Sequence, residues 1–149
     1  MRALIQRVSK GAVEVKEKNY FVEIKKGMVL LLGISEDDTE NEVNYLAEKC
    51  VNLRIFEDEN EKMNIALKDI AGEILLISQF TLYGDSRKGN RPSYNKAAKP
   101  DKAIKLYELF AAKLKSLIGE EKIKEGLFGE MMEVTIINDG PVTLLVESK

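Results

Sequence analysis

The chain has 149 residues, of which 44% are hydrophobic and 32% charged, a balance that supports a folded core and excludes a disordered segment. It contains no histidine, which removes the Ser-His-Asp and Cys-His triads, the histidine general base and nearly every zinc-hydrolase ligand set. Chemistry must therefore come from hydroxyls, amides, carboxylates, the backbone or a substrate, and neither a metal nor a cofactor is expected. The single cysteine, Cys50, forms no internal disulfide and fits a reducing compartment. The longest apolar run, Met28 to Ile34, is far too short for a bilayer, and Met1 to Arg7 lacks the features of a signal peptide. A cytoplasmic protein without membrane contact is the expectation.

In chain order, Arg2 to Val8, Ala12 to Val15 and Tyr20 to Ile24 read as short strands, the last two alternating apolar and charged residues. Met28 to Ile34 reads as a strand buried on both faces. Thr39 and Glu42 form a capping box, and the stripe Val43, Leu46, Ala47, Cys50 and Val51 predicts a helix with Cys50 in the core. Leu53 to Phe56 and Ile74 to Ile77 read as strands. A second helix is expected from about Asp101, after Pro100, to Gly119, with Ala103, Tyr107, Phe110, Leu114 and Leu117 as its stripe. The tail reads as two strands, Met131 to Ile137 and Val142 to Val146, joined by Asn138-Asp139-Gly140-Pro141. Many strands, two good helices and no visible βαβ alternation predict an α+β fold, with largely antiparallel or mixed sheets in one domain spanning 1–149.

Three segments carry candidate chemistry. Ser78-Gln79-Phe80-Thr81 follows an apolar strand and offers hydroxyls, an amide and exiting backbone N–H groups suited to an oxyanion. A strand end whose hydroxyls satisfy loose backbone groups has the same residue types. Asn138 to Thr143 contains Asp-Gly, a common hairpin signal, but Pro141 lacks an N–H where the next strand would begin pairing. Its Gly-Pro bond can be cis or trans. Ser86 to Lys105 holds seven bases (Arg87, Lys88, Arg91, Lys96, Lys99, Lys102, Lys105) against Asp101, on a chain whose net charge is −2. Such a segment suits phosphates, and a solvated surface would look alike. Within it, Ser86 to Tyr94 combines bases, hydroxyls and an aromatic ring. No glycine-rich phosphate loop is present.

Several of these segments resemble the D-aminoacyl-tRNA deacylase family. The resemblance is carried by Ile5-Gln6-Arg7-Val8, Leu53-Arg54-Ile55-Phe56-Glu57-Asp58, Ser78-Gln79-Phe80-Thr81-Leu82-Tyr83 and Lys88-Gly89-Asn90-Arg91-Pro92-Ser93. It continues through Leu127-Phe128-Gly129 into Asn138-Asp139-Gly140-Pro141-Val142-Thr143, nearly end to end and in order. Gly11, Gly84, Tyr94 and Glu130 depart from the usual pattern, which puts local packing in question more than activity.

The resemblance implies hydrolysis of the ester in D-aminoacyl-tRNA by a homodimer with two sites at the subunit interface. In that family the Gly-Pro dipeptide is cis and enters the partner's pocket, so Gly140 and Pro141 would face Ser78, Gln79, Phe80 and Thr81 of the other chain. Arg7 would brace the loop, while Phe128 and Met132 would line the terminal-adenosine pocket. Gln79, Phe80 and Thr81 are the expected catalytic positions, and Arg87, Lys88 and Arg91 the expected tRNA contacts. Backbone N–H groups at Phe80 and Thr81 would hold the oxyanion, and the substrate's ribose 2′-hydroxyl would position water. Thr81 as a covalent nucleophile is the alternative, without a visible base. L-residues would be rejected for lack of room, with glycine tolerated. A non-catalytic nucleic-acid module and a β-rich dimeric scaffold are the readings from other classes.

Overall fold

In the computed structural model, which describes residues 1–148, the first strand organises the sheet. β1 (Arg2–Val15) is paired along both edges. On one edge its first half meets β3 (Gly27–Gly33) and its second half meets β2 (Tyr20–Ile24), both antiparallel. Two expected strands, Arg2 to Val8 and Ala12 to Val15, are thus one continuous strand.

The other edge of β1 carries β8 (Glu133–Glu147), again antiparallel, with irregularities between Gln6 and Val8 and between Val8 and Lys10. This corrects the expected pair of tail strands. Both arms of the tail lie on β1, and Asn138 to Pro141 is a bulge between them rather than a hairpin turn.

β3 continues through α1 (Glu40–Asn52) and a small antiparallel pair, β4 (Phe56–Glu57) with β5 (Met63–Ile65), to β6 (Glu73–Ser78). From β6 the chain passes through α2 (Pro100–Ile118) to β7 (Ile123–Glu125). β3, β6 and β7 are parallel neighbours, so the sheet is mixed. Each parallel step uses a helical crossover, the connection that parallel strands need, which corrects the expected absence of βαβ alternation. The expected strand Leu53 to Phe56 shifts to Phe56–Glu57, because Leu53 caps α1.

Both helices cover one face of the sheet. Met28, Leu30 and Leu32 of β3 and Ile74 and Leu76 of β6 point into a core with the Val43, Leu46, Ala47, Cys50 and Val51 stripe of α1. The capping box of Thr39 and Glu42 is present. In α2 the buried stripe is Leu106, Tyr107, Phe110, Ala111 and Leu114, whereas Leu117 is exposed and Ala103 only half-buried. Tyr107, Phe110 and Leu114 are thus buried as expected, and Leu106 and Ala111 take the places expected for Ala103 and Leu117. On the opposite sheet face, Val29, Leu75 and Ile77 pack with Val8, Val13, Val15 and Ile24 into a second core. Among the described residues no helix is long and apolar enough to cross a membrane.

The β3–β6 junction leaves no room for a side chain at Gly27, where a Cβ would lie 1.9 Å from the Glu73 carbonyl oxygen. Because that obstacle is backbone, Gly27→Ala is expected to cost about 2 kcal/mol or more by forcing the strands apart. A lower urea midpoint with an unchanged slope would report it, and an unshifted midpoint would contradict this packing.

Candidate active site

Ser78, Gln79, Phe80 and Thr81 sit where β6 ends. The Gln79 N–H donates to the Leu32 carbonyl at 2.7 Å, the last tie to β3, and the chain then turns into a short 3₁₀ segment, Phe80–Tyr83. Among the described residues, the N–H groups of Phe80 and Thr81 meet no acceptor in the chain, as expected for the first amides of a helical turn. Both residues are exposed. The Gln79 amide nitrogen donates to the Thr81 hydroxyl oxygen at 2.5 Å. An amide is no base, so this contact orients the hydroxyl without taking its proton.

The Gly140–Pro141 peptide bond is cis. Gly140 has φ +142°, and a Cβ there would lie 2.8 Å from Val142 Cγ2 and 3.2 Å from Arg7 Nη2, so the position requires glycine. Asn138 closes the bulge by accepting from the Val142 N–H at 2.8 Å and donating to Thr143 Oγ1 at 2.9 Å.

Beneath the bulge lies Arg7, only 4% exposed. Its Nε donates to the Asp139 carbonyl and its Nη1 to the Ile55 carbonyl, both at 2.8 Å. The Asp139 and Glu57 carboxylates stand 3.4 and 3.5 Å from the guanidinium. A buried charge in this fork geometry ties the bulge to Ile55, between α1 and β4, and to Glu57 of β4.

The two segments are not brought together within the chain. Arg7 pairs with Met28 at the start of β3, whereas Gln79 bonds Leu32 near its end. At about 3.3 Å per residue along a strand, the bulge and the β6 end are separated by roughly 15 Å. Gly140 and Pro141 are exposed, as are Phe80 and Thr81.

Phe128 does join the β6 end. Leu76 pairs with Glu125 in parallel register, so the chain beyond β7 runs alongside Ser78. Phe128 is backed by Tyr107, with ring centroids 5.6 Å apart, and Tyr107 in turn donates to the Leu76 carbonyl. Met132 is half-buried over the second core, its sulfur packed against Gly126.

The basic segment leaves the Phe80–Tyr83 turn and returns through a backbone bridge, Asp85 to Ser93, with N–O distances of 2.8 and 2.9 Å. Arg87, Lys88 and Arg91 are exposed on the loop between. Arg87 is not a free cation, because Asp85 accepts from its Nε and Nη2 at 2.9 and 2.5 Å. That guanidinium holds the Asp85 carboxyl well below its ordinary range. Burial pushes the Cys50 thiol up to about 12, so it stays protonated at neutral pH and is no nucleophile.

Sequence reasoning missed three contributors. The Ile55 carbonyl and Glu57, which hold Arg7, are nonlocal partners. Tyr107 supports Phe128 although its helical spacing marked it only as core.

The sequence profile described as D-Tyr-tRNA(Tyr) deacylase matches residues 4–147. The chain belongs to this family. It is a hydrolase of the deacylase class, as its resemblance implied. The D-aminoacyl-tRNA deacylase of Thermosipho africanus is 54% identical over 149 residues, spanning 100% of this chain and 98% of that protein. Among solved structures, the c-Myc DNA Unwinding Element Binding Protein is 40% identical with a TM-score of 0.94, covering 100% of this chain and 99% of its own. A probable eukaryotic D-amino acid tRNA deacylase, 16% identical with a TM-score of 0.84 and coverage of 99% and 98%, shares the fold.

Arg7→Lys preserves charge but cannot make the same two-carbonyl fork. It is expected to cost about 1–3 kcal/mol and to speed hydrogen exchange across residues 138–142. Unchanged exchange there would show that the guanidinium does not hold the bulge.

Proposed function

We propose that this chain removes D-amino acids from tRNA as a cytoplasmic homodimer. Each site would combine Ser78, Gln79, Phe80 and Thr81 of one subunit with Gly140 and Pro141 of the other. One observation carries the reading: two exposed, family-matching half-sites lie at opposite ends of the same strands and cannot meet in one subunit. A two-fold partner, presenting the same surface in reverse, supplies the missing half to both sites.

The half-sites define a mechanism. The aminoacyl carbonyl sits against the N–H groups of Phe80 and Thr81, which stabilise the oxyanion as water adds to the carbonyl carbon. The bond to the ribose 3′ oxygen then breaks, and the proton lost by water ends on that oxygen. The chain offers no histidine, and Gln79 is no base for Thr81, so the adjacent ribose 2′-hydroxyl orients the water. An ester is activated relative to an amide, which makes orientation and oxyanion binding sufficient. Phe128 and Met132 receive the terminal adenosine, and Arg87, Lys88 and Arg91 contact the RNA backbone.

Gly140 and Pro141 set chirality by occupying the volume that an L side chain needs. A site that excludes rather than grips takes varied D side chains, and glycyl-tRNA as well.

The name of one similar structure, a DNA-unwinding-element binding protein, together with the exposed basic loop, favours a second reading as a nucleic-acid-binding module. Salt-sensitive tRNA binding without turnover of D-tyrosyl-tRNA would select it.

Two outcomes test the proposed site. Thr81→Ala keeps the backbone donor and is expected to retain measurable deacylation, while an ester on 2′-deoxyadenosine should react about a hundredfold more slowly with the unaltered enzyme. An inactive variant with an unimpaired deoxy substrate would instead make Thr81 the nucleophile. For the shared site, mixing inactive Phe80→Pro subunits, which lack the Phe80 N–H, with inactive Pro141→Gln subunits should restore activity, because each mixed dimer contains one intact composite site. Failure of stable mixed dimers to recover activity contradicts a site built in trans.

A further inference from the structure

Phe80 and Tyr94 form an aromatic step on the surface of the single chain, beside the segment proposed to meet the partner. Their ring centroids are 5.2 Å apart at an interplanar angle of 73°, with Phe80 58% and Tyr94 39% exposed. Tyr94 is not loosely placed. The paired hydrogen bonds of Asp85 and Ser93 pin the residue before it, and its ring beds on Gly84, where a Cβ would approach Tyr94 Cε1 to 3.0 Å. The intervening loop presents Lys88 and Arg91, neither of which has an acidic partner among the described residues. Phe80 lies between Gln79 and Thr81, so the step begins where the scissile ester would sit.

Resting on the deacylase reading above, we propose that the Phe80–Tyr94 step stacks the nucleotide preceding the terminal adenosine, with Lys88 and Arg91 against its phosphate. Exposed aromatic faces beside unpaired cations match single-stranded RNA, whose bases stack and whose phosphates attract cations. The terminal adenosine itself is assigned to Phe128, on the β7 side of Ser78, so the aromatic step is free for the next base. The step thereby extends substrate recognition beyond the aminoacylated nucleoside.

The test compares D-tyrosyl esters of adenosine and of the trinucleotide CCA. Stacking of one base is expected to favour the trinucleotide, and Tyr94→Ala should lower the ratio of its kcat/KM to that of adenosine by about ten- to a hundredfold. Tyr94→Phe, which keeps the ring, should restore the ratio. Because both esters share the same reacting centre, a general disturbance of the site leaves the ratio unchanged, and that result overturns the proposal. A measurement without any variant adds to this: 2-aminopurine placed before the terminal adenosine should be quenched on binding the unaltered protein. Binding without quenching also overturns the proposal. If the unaltered protein cleaves neither ester, the deacylase reading itself fails and takes this inference with it.

Discussion

The pairing of β1 along both edges fixes where the β6 end and the Asn138 to Pro141 bulge stand. Its first half hydrogen-bonds β3, which aligns β6 in parallel, so the Ser78 to Thr81 turn emerges beyond Leu32. Its other edge holds both arms of β8, and the irregularities around Val8 push Asn138 to Pro141 out of the ladder. A one-residue slip would turn every side chain on the slipped strand to the other face. Alternating residues of β3 and β6 fill separate cores, so such a slip is strongly disfavoured. The positions of the β6 end and the bulge are therefore consequences of core packing.

Arg7 shows how that framework supports a surface feature. A buried guanidinium is costly unless its donors are met, and here two backbone carbonyls and two nearby carboxylates meet them. The same contacts fasten the bulge to the segment after α1. Rigidity in this loop matters on the proposed reading, because a chiral filter made of backbone must not yield to an L side chain. Glycine at position 140 and the arginine beneath it are thus parts of one arrangement.

What was legible in the sequence was local. Thr39 and Glu42 announce a helix start because their hydrogen bonds span three residues, and the α1 stripe follows from its period. The tail was misread because its pairing partner is β1, more than a hundred residues earlier, and no local pattern distinguishes a bulge on a distant strand from a turn. β5 was missed because Met63 to Ile65 is only three residues long and follows the polar run Glu57 to Lys62, which carries little strand signal. At the site, Ser78 to Thr81 was visible as polar residues ending an apolar strand. The partners of Arg7 were not, since a carbonyl such as that of Ile55 has no signature in residue type.

The same distinction explains how hydrolysis can be organised without a histidine. A base is a side-chain property and is read from composition, whereas an oxyanion site made of amides is a property of backbone shape. The turn after β6 exposes two N–H groups because a helical turn cannot satisfy its own first donors. On the proposed reading, such donors are already oriented when the carbonyl arrives, so little reorganisation accompanies the developing charge. In the proposed dimer they stay solvated until a second subunit closes over them. On the proposed assembly, the surface that excludes water is also the surface that tests handedness, which couples the strength of oxyanion binding to the fit of the D side chain. Catalysis and selectivity then depend on the same contact between subunits.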